Sequence, residues 1–264
     1  AHWFRAAAEA DIAAAQVQLG RLYAAGEGVP RDWGLAADWL GKAAAKGDQE
    51  AKMALALLHL HGDEAVRDPV RGELLLRQAA EAGHPAAALQ LGHLYRGKRD
   101  CDAAGDADAH AKVWYERAAE AGHVEAQFTL ATMYLDGEAA ERDAAAAAAW
   151  LEKAALNDHA PSQFQLAVLY CTGQGVPLDL APALAWYERA AKLGHRLAQY
   201  NLAVMLAKGQ GCEADQERAA AWLRHAAEQG LPEAQRALGG THATGQRPAP
   251  NRHWECAHEH GFRL

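Results

Sequence analysis

The chain has 264 residues, half of them hydrophobic, and a formal net charge of -8. Lys and Arg are scattered, so no basic stripe is available to neutralise nucleic-acid phosphates or anionic lipid. No apolar run approaches the roughly 20 residues that a membrane-spanning helix needs. Ala supplies much of the hydrophobic content while Val, Ile and Thr are scarce, which favours helices over strands. The composition therefore predicts an all-α protein that neither binds nucleic acid nor inserts into a membrane.

A nine-residue segment recurs along the chain. Ala15-Gln-Val-Gln-Leu-Gly-Arg-Leu-Tyr23 returns as Ala87-Ala-Leu-Gln-Leu-Gly-His-Leu-Tyr95 and as Ala126-Gln-Phe-Thr-Leu-Ala-Thr-Met-Tyr134. The copies begin at residues 15, 51, 87, 126, 162, 198 and 234, so the step is 36 residues except for one step of 39. The longer step places a three-residue insertion between Gly97 and Asp108. A fixed period of this length predicts a stack of helix–turn–helix units, each of which buries its apolar face only against its neighbours.

The first helix of each unit, helix A, is predicted from a recurring Leu that is followed by Gly or Ala. The large side chain packs, and the small residue permits a close helix contact. Helix A ends at a Gly, a residue that tolerates the positive φ of many helix ends. The Leu residues are Leu19, Leu55, Leu91, Leu130, Leu166, Leu202 and Leu238, and the Gly residues are Gly26, Gly62, Gly137, Gly173, Gly209 and Gly245.

The second helix, helix B, is predicted from a recurring Asp and a Trp seven residues later. The Asp suits the capping of free amides at a helix start, and we expect the Trp to be the large core anchor. The Asp residues are Asp32, Asp68, Asp143, Asp179 and Asp215, and the Trp residues are Trp3, Trp39, Trp114, Trp150, Trp186 and Trp222. Four positions after the Trp site, every full copy reads Ala-Ala, and helix B usually ends at a Gly, with Asp158 as the exception.

These registers divide the chain into three parts. Residues 1–14 match the second half of a repeat, residues 15–233 hold six repeats, and residues 234–264 form a degenerate capping repeat with a tail. Because residues 1–14 lack a first helix, the chain could also be the repeat arm of a larger protein. Since the sequence opens Ala1-His2-Trp3 without a Met or a signal-like stretch, bacterial cytoplasm and periplasm both stay open as the compartment, and we favour the cytoplasm.

The motif A-x-x-x-L-[GA]-x-x-[YL]-x-x-G-x-G-V-x-x-D, followed by A-W-[YL]-x-[KR]-A-A-x-x-G, resembles the Sel-one-like repeat, a relative of the tetratricopeptide repeat. Gly26-Glu-Gly-Val-Pro-Arg-Asp32 and Gly173-Gln-Gly-Val-Pro-Leu-Asp179 match the family loop almost residue for residue. The resemblance implies a right-handed α-α superhelix, or solenoid, whose A helices line a concave surface. It also implies a non-catalytic adaptor that binds protein partners.

Partner-binding residues are expected at the helix A positions that vary between repeats, because the recurring positions are occupied in packing. We expect a partner peptide or helix to lie against these positions on the concave surface. Phe128, Phe164 and Tyr200 recur at one-repeat intervals beside polar residues, a pairing typical of interaction hot spots. The alternative is that this aromatic position is buried between adjacent A helices. The full predicted set is Gln18, Arg21, Gln90, His93, Phe128, Thr129, Thr132, Phe164, Gln165, Val168, Tyr200 and Asn201.

Catalysis is not expected. A cysteine-rich branch of the resembled family has members described as acting on β-lactams, and a hydrolase of that type is the alternative function. However, the four cysteines here lie far apart without a recurring spacing, which indicates neither a disulfide framework nor a zinc site. Ser162, the only serine, replaces the small residue that opens a helix A, so no nucleophile elbow surrounds it. We expect no cofactor and a monomer, with end-to-end association left open.

Three groups of residues suggest metal or proton chemistry but have a simpler interpretation. His84, His123, His159 and His195 occupy equivalent inter-repeat sites, which favours a loop or capping role over metal binding or pH sensing. His253, Cys256, His258 and His260 have a spacing that could bind zinc. Asn251 nevertheless lies where a capping Asp would stand, which favours a final helix B. The acidic segment Asp100–Asp108 lacks the terminal Glu of a calcium loop, so we expect a solvated loop there.

Overall fold

The computed structural model describes residues 2–97, 106–137 and 142–244. These ranges contain fourteen helices and no strand, which confirms the predicted all-α class. Most of the insertion and the tail with His253, Cys256, His258 and His260 lie outside the described residues.

The chain forms two compact units, residues 1–126 and 127–264, with the boundary inside one helix. In each unit, helices that follow one another along the chain pack against each other. The first unit contains α1 (His2–Glu9), α2 (Ala13–Ala25), α3 (Trp33–Ala45), α4 (Gln49–His61), α5 (Pro69–Glu81), α6 (Pro85–Gly97), α7 (Asp106–Glu120) and the start of α8 (Val124–Asp136). The second unit contains the rest of α8, α9 (Ala144–Ala155), α10 (Ala160–Thr172), α11 (Leu180–Lys192), α12 (Arg196–Lys208), α13 (Gln216–Glu228) and α14 (Pro232–Thr244). Even-numbered helices are the predicted A helices, and odd-numbered helices are the predicted B helices.

The recurring Asp caps the B helices as predicted. The Asp32 carboxylate accepts the Leu35 amide at 2.9 Å, and the Asp179 carboxylate accepts the Ala181 amide at 3.0 Å. The same capping bond is present at the sites of Asp68, Asp143 and Asp215. Each carboxylate thus pairs one of the backbone donors that a helix start leaves without a partner.

Most described A helices also end as predicted. Gly26, Gly173 and Gly209 adopt a left-handed backbone conformation at the carboxyl ends of α2, α10 and α12. Gly62 is an exception, because the chain leaves α4 in an extended conformation there.

The core anchor of helix B is the residue after the Trp, which corrects our expectation. The Trp side chains at 39, 114, 150, 186 and 222 are only half-buried. Leu40, Leu76, Tyr115, Leu151, Tyr187 and Leu223 are the buried residues, each at most 4% exposed. This next position, about 100° further around the helix, faces the Gly or Ala that follows the Leu of helix A. At Gly20, an added Cβ would lie 2.7 Å from Cγ of Leu40, so the two helices touch there.

The half-buried Trp rings are partly covered by cations of their own helices. Nζ of Lys42 lies 4.0 Å from the ring centre of Trp39, and Nζ of Lys153 lies 3.7 Å from that of Trp150. Arg117 and Arg189 take the same place over Trp114 and Trp186. Because the cation follows the Trp by three residues, the two side chains are neighbours on the helix surface.

The predicted capping role of the inter-repeat histidines is confirmed at two sites. Nδ1 of His84 accepts the Ala87 amide, and Nδ1 of His195 accepts the Ala198 amide, each at 3.2 Å. An imidazole nitrogen accepts only when it carries no proton, so both caps use the neutral ring.

Candidate binding groove

A groove of about 480 Å³ opens on the A helices of the first unit. Residues 53, 54, 57, 58 and 61 all face it, which is the spacing of one face of α4. Helices α2, α3 and α6 supply the remaining walls. The lining residues are Arg21, Ala24, Trp33, Leu40, Met53, Ala54, Leu57, Leu58, His61, Gly62 and Gln90.

The groove has an apolar floor and a polar rim. Met53, Leu57 and Trp33 are half-buried, so part of each apolar side chain remains open to solvent. Arg21 and Gln90 bring hydrogen-bonding groups to the same space. A surface of this kind can take up an apolar side chain of a ligand and fix its backbone with a few polar contacts.

Arg21 is held at the rim by an ionic network. Its guanidinium pairs with the carboxylate of Glu50, whose other oxygen lies 2.8 Å from Nε2 of His84. Partial burial alone would raise the pKa of Glu50, but the hydrogen bonds from His84 and Arg21 outweigh it and lower the pKa below its ordinary value. Glu50 is therefore a carboxylate at neutral pH and links α2 to the start of the α6 hairpin through Arg21 and His84.

The structure places the four predicted residues of the first unit in different settings. Arg21 and Gln90 line the groove. Gln18 is exposed on α2. His93 accepts or donates a hydrogen bond of 2.9 Å with the hydroxyl of Tyr115, and partial burial lowers the pKa of its imidazole.

In the second unit, the aromatic position is partly or wholly buried. The Phe164 ring stacks on His195 with 4.6 Å between ring centres, and Phe128 meets His159 edge-on at 5.2 Å. Tyr200 is only 2% exposed and Thr129 only 8% exposed. Both side chains are thus interior residues, and for Tyr200 this is the buried alternative that the sequence left open.

The other predicted residues of the second unit remain partly accessible. Gln165, Val168, Thr132 and Asn201 are half-buried. The Thr132 hydroxyl donates to the Thr129 carbonyl at 2.7 Å, and the Asn201 amide donates to the Tyr187 hydroxyl at 3.2 Å. Burial raises the pKa of Tyr187, so this hydroxyl stays protonated.

Nine of the eleven groove residues are absent from the predicted set, which contains only Arg21 and Gln90. Met53, Ala54 and Leu57 stand at the same variable helix A positions as predicted residues. Trp33 follows the capping Asp32 and His61 precedes the Gly that ends helix A, so neither lies at a variable position of the recurring segment. The position in the helix A pattern was therefore a better guide than the residue type.

The close pair of Ser162 and His159 does not form an open site. Oγ of Ser162 lies 2.8 Å from Nδ1 of His159, a distance suitable for proton transfer. Ser162 is fully buried at the start of α10, so a substrate carbonyl cannot approach its oxygen. The geometry is that of neighbouring side chains in one helical turn.

Comparison with known proteins agrees with this architecture. The Sel1 repeat model matches residues 13–48, 49–84, 85–123, 124–159, 160–195 and 196–231. No curated protein sequence matches the chain significantly. Proteins with this repeat generally act as scaffolds for protein interactions. Within the described residues, no helix has the length and apolar character to cross a membrane.

Two solved structures resemble the chain over most of its length. A protective antigen of uropathogenic Escherichia coli with an SLR fold is 29% identical, with a TM-score of 0.80 over 97% of this chain and 55% of that one. The chain thus spans about half the length of that antigen. A Sel1 repeat protein from Oxalobacter formigenes is 32% identical, with a TM-score of 0.74 over 90% of this chain and 68% of that one. With six matched repeats across most of its length, the chain belongs to the Sel1 repeat family.

Proposed function

We propose that this protein is a non-catalytic scaffold that binds a segment of a protein partner on its A helices. The groove of the first unit is the principal contact in this proposal. The observation that carries it is an open, largely apolar groove of about 480 Å³ with Arg21 and Gln90 at its rim.

The residue positions that line the groove support this function. In the copies that begin at residues 15, 51, 87, 126, 162 and 198, the recurring Leu and the small residue after it are buried by packing within the stack. Several groove residues instead stand at variable positions: the position of Arg21 in α2 holds Leu57 in α4 and His93 in α6. Variation on a constant frame is how a repeat protein acquires specificity for one partner.

The chemistry of the groove defines the partner segment. An apolar side chain would lie against Met53, Leu57 and Trp33, while backbone or side-chain oxygens would accept hydrogen bonds from Arg21 and Gln90. The net charge of -8 opposes binding to nucleic acid. We therefore propose a peptide or helix of a protein as the ligand, and a monomeric scaffold as the binding form.

The predicted residues of the second unit are a further part of this proposal. Gln165, Val168, Asn201 and Thr132 would contact a ligand directly through their accessible atoms, together with the half-buried Phe128 and Phe164. Thr129 and Tyr200 would act only by supporting the residues around them, because both are buried.

Selection from a phage-displayed peptide library on the full chain tests this function. We expect enriched peptides to contain a large apolar residue and to bind at least tenfold more weakly to the Leu57→Glu variant, since a buried charge opposes an apolar ligand. Leu74→Glu is the matched control, because Leu74 is a half-exposed leucine on α5 that does not line the groove. Equal binding of all enriched peptides to both variants and to the original chain would refute the groove.

The non-catalytic part of the proposal has its own test. We expect purified chain at high concentration to leave a chromogenic cephalosporin such as nitrocefin unchanged. Turnover that is lost in the Ser162→Ala variant would contradict it.

A further inference from the structure

A second cavity, of about 230 Å³, opens between α3, α4 and α5 in the first unit. We call it the His59 cavity, and it shares no lining residue with the groove. Its walls combine small and apolar residues with an imidazole and two charged groups. The lining residues are Ala37, Asp38, Gly41, Leu55, His59 and Arg71.

The hairpin of α5 and α6 fills the equivalent position with its own side chains. The guanidinium of Arg77 donates to the hydroxyl of Tyr95 at 2.7 Å, and both groups donate to the carboxylate of Glu73 at 3.1 Å. Arg5 and Tyr23 form the same guanidinium–hydroxyl pair between α1 and α2. In both hairpins, a guanidinium on the B helix is thus the partner of the tyrosine on the A helix.

Smaller residues stand at these three positions in the hairpin of α3 and α4. One repeat before Glu73, Arg77 and Tyr95, the chain has Ala37, Gly41 and His59. A Cβ added at Gly41 would make no contact with the rest of the fold within 4 Å, so the space beside this residue is open. The His59 cavity therefore lies where the other hairpin holds its guanidinium and its phenol.

His59 brings a buried hydrogen-bond acceptor to this cavity. The residue is 7% exposed, and its Nδ1 lies 2.6 Å from the carbonyl oxygen of Val66. Because a carbonyl oxygen only accepts, Nδ1 carries the proton, and Nε2 of the neutral ring is an acceptor. Nε2 is buried and has no hydrogen-bond partner among the described residues. Since buried polar atoms are normally paired, a ligand that donates to Nε2 would complete the bonding of the ring.

Two opposite charges line the same cavity. Asp38 on α3 and Arg71 on α5 are both exposed, and no ion pair joins them within the described part of the chain. The Asp38 carboxylate suits a guanidinium, as the Glu73 carboxylate suits Arg77. Arg71 would repel a ligand that carries only a positive charge, but it suits a carboxylate. The two charges together favour a ligand with a cation at one end and an anion at the other.

We propose that the His59 cavity binds an arginine with a free α-carboxylate, which is either the amino acid itself or the last residue of a peptide. Its guanidinium would take the place that Arg77 holds in the hairpin of α5 and α6, and would donate to Nε2 of His59 and to the Asp38 carboxylate. Its α-carboxylate would pair with Arg71. This site is separate from the groove, so either proposal can fail alone.

Isothermal titration calorimetry of the full chain with L-arginine measures this binding. We expect L-citrulline, which has a similar shape but an uncharged side chain, to bind at least tenfold more weakly. Asp38→Asn should weaken the binding of arginine at least tenfold, because the guanidinium loses its carboxylate. Asp136→Asn is the matched control. It removes the same charge from an exposed site on α8 that does not line the cavity, and it should change binding little.

L-Argininamide tests the other end of the ligand, because it lacks the carboxylate. We expect it to bind the original chain more weakly than arginine does, whereas Arg71→Gln should bind the two ligands equally. A peptide that ends in Gly-Gly-Arg and has an acetylated amino terminus distinguishes the two sources. Tighter binding than that of arginine would identify a peptide terminus, and weaker binding would identify the free amino acid.

A variant that fills the cavity from within is an independent test. Gly41→Arg supplies a guanidinium at the position of Arg77, so it should melt at a higher temperature than Gly41→Ala, which has a similar gain in helix propensity but adds no polar group. Gly41→Arg should also abolish the binding of arginine, whereas Gly41→Ala should retain it.

Absence of arginine binding by the original chain would overturn the site, as would equal affinities for arginine and citrulline. Binding that persists in the Gly41→Arg variant would also overturn it, because the ligand would then lie elsewhere. Leu57→Glu should leave the binding of arginine unchanged, which separates this proposal from the groove.

Discussion

The side-chain amide of Gln199 donates a hydrogen bond of 3.1 Å to the backbone carbonyl of Ala191, eight residues earlier at the end of the preceding B helix. Both residues are buried, and the Gln199 oxygen accepts a second bond from Gln229. Gln16 and Gln163 bond in the same way to Ala8 and Ala155. This glutamine therefore joins the end of one hairpin to the start of the next.

Replacing Gln199 by Leu should destabilise the protein by about 1 kcal/mol, because the buried Ala191 carbonyl loses its side-chain donor, keeps the Gly194 amide and finds no water in exchange. The control is Gln235→Leu: Gln235 makes the equivalent bond to Ala227 but is exposed, so water can replace it. Urea unfolding of the two variants measures the difference. A similar loss in both would show that burial of the bond is unimportant.

The packing of Gly92 on Tyr115 predicts an energetic coupling. An Ala at position 92 would place its Cβ 2.5 Å from the Tyr ring and should cost about 1–3 kcal/mol, despite the better helix propensity of Ala. Combined with Tyr115→Leu, the loss should be smaller than the sum of the single losses, because Ala with Leu already occupies these sites in the pair Ala131 and Leu151. A double-mutant cycle measures the coupling, and additive losses would contradict it.

The sequence predicted features that depend on local bonding. Asp32 and Asp179 cap their helices as expected, since a carboxylate reaches amides only two or three residues away. The prediction of Trp39 rather than Leu40 as the core anchor was wrong, because the identity of the anchor does not depend on local bonding. Both neighbours are large and apolar, and their side chains point about 100° apart around the helix. Which of the two is buried depends on where the facing A helix lies, and the sequence does not show that.

Features that depend on the distance between helices could not be predicted from the sequence. The groove forms where residues from α2, α3, α4 and α6 surround a space. The repeat pattern of the sequence does not indicate where such a space lies. The same holds for Tyr200, whose burial follows from the packing of α12 and α13. Partner contact by the predicted residues is a prediction that the experiments above must test.

Asp158 follows a B helix with a positive φ of +56°, where Gly47 and Gly194 occupy equivalent sites. Because a side chain disfavours this left-handed conformation, Asp158→Gly should stabilise the protein by about 1 kcal/mol. Gly194→Asp is the reciprocal change and should destabilise it. Thermal melts of both variants are the measurement, and a lower melting temperature for Asp158→Gly would refute the assignment of strain.

The histidine cap of α12 predicts a dependence of stability on pH. Burial, with a smaller contribution from Arg196, lowers the pKa of His195 below its ordinary value of 6.5. The unfolded chain therefore binds a proton at this site at higher pH than the folded chain does. The stabilising contribution is complete above about pH 6.5 and is lost as the pH falls from there towards the folded pKa. Protonation of Nδ1 would also remove the acceptor of the Ala198 amide.

His195→Asn supplies a cap that does not titrate, so its free energy of unfolding should fall less between pH 8 and pH 5 than that of the original chain. A carboxylate already serves at the equivalent site of α4, where Asp48 accepts the Ala51 amide at 2.8 Å. Urea unfolding across this pH range is the measurement, with His195→Asp as the second variant. Because His93 and His123 also have a pKa lowered by burial, part of the dependence should remain in both variants. If both lose stability as steeply as the original chain, His195 makes no contribution to the acid response.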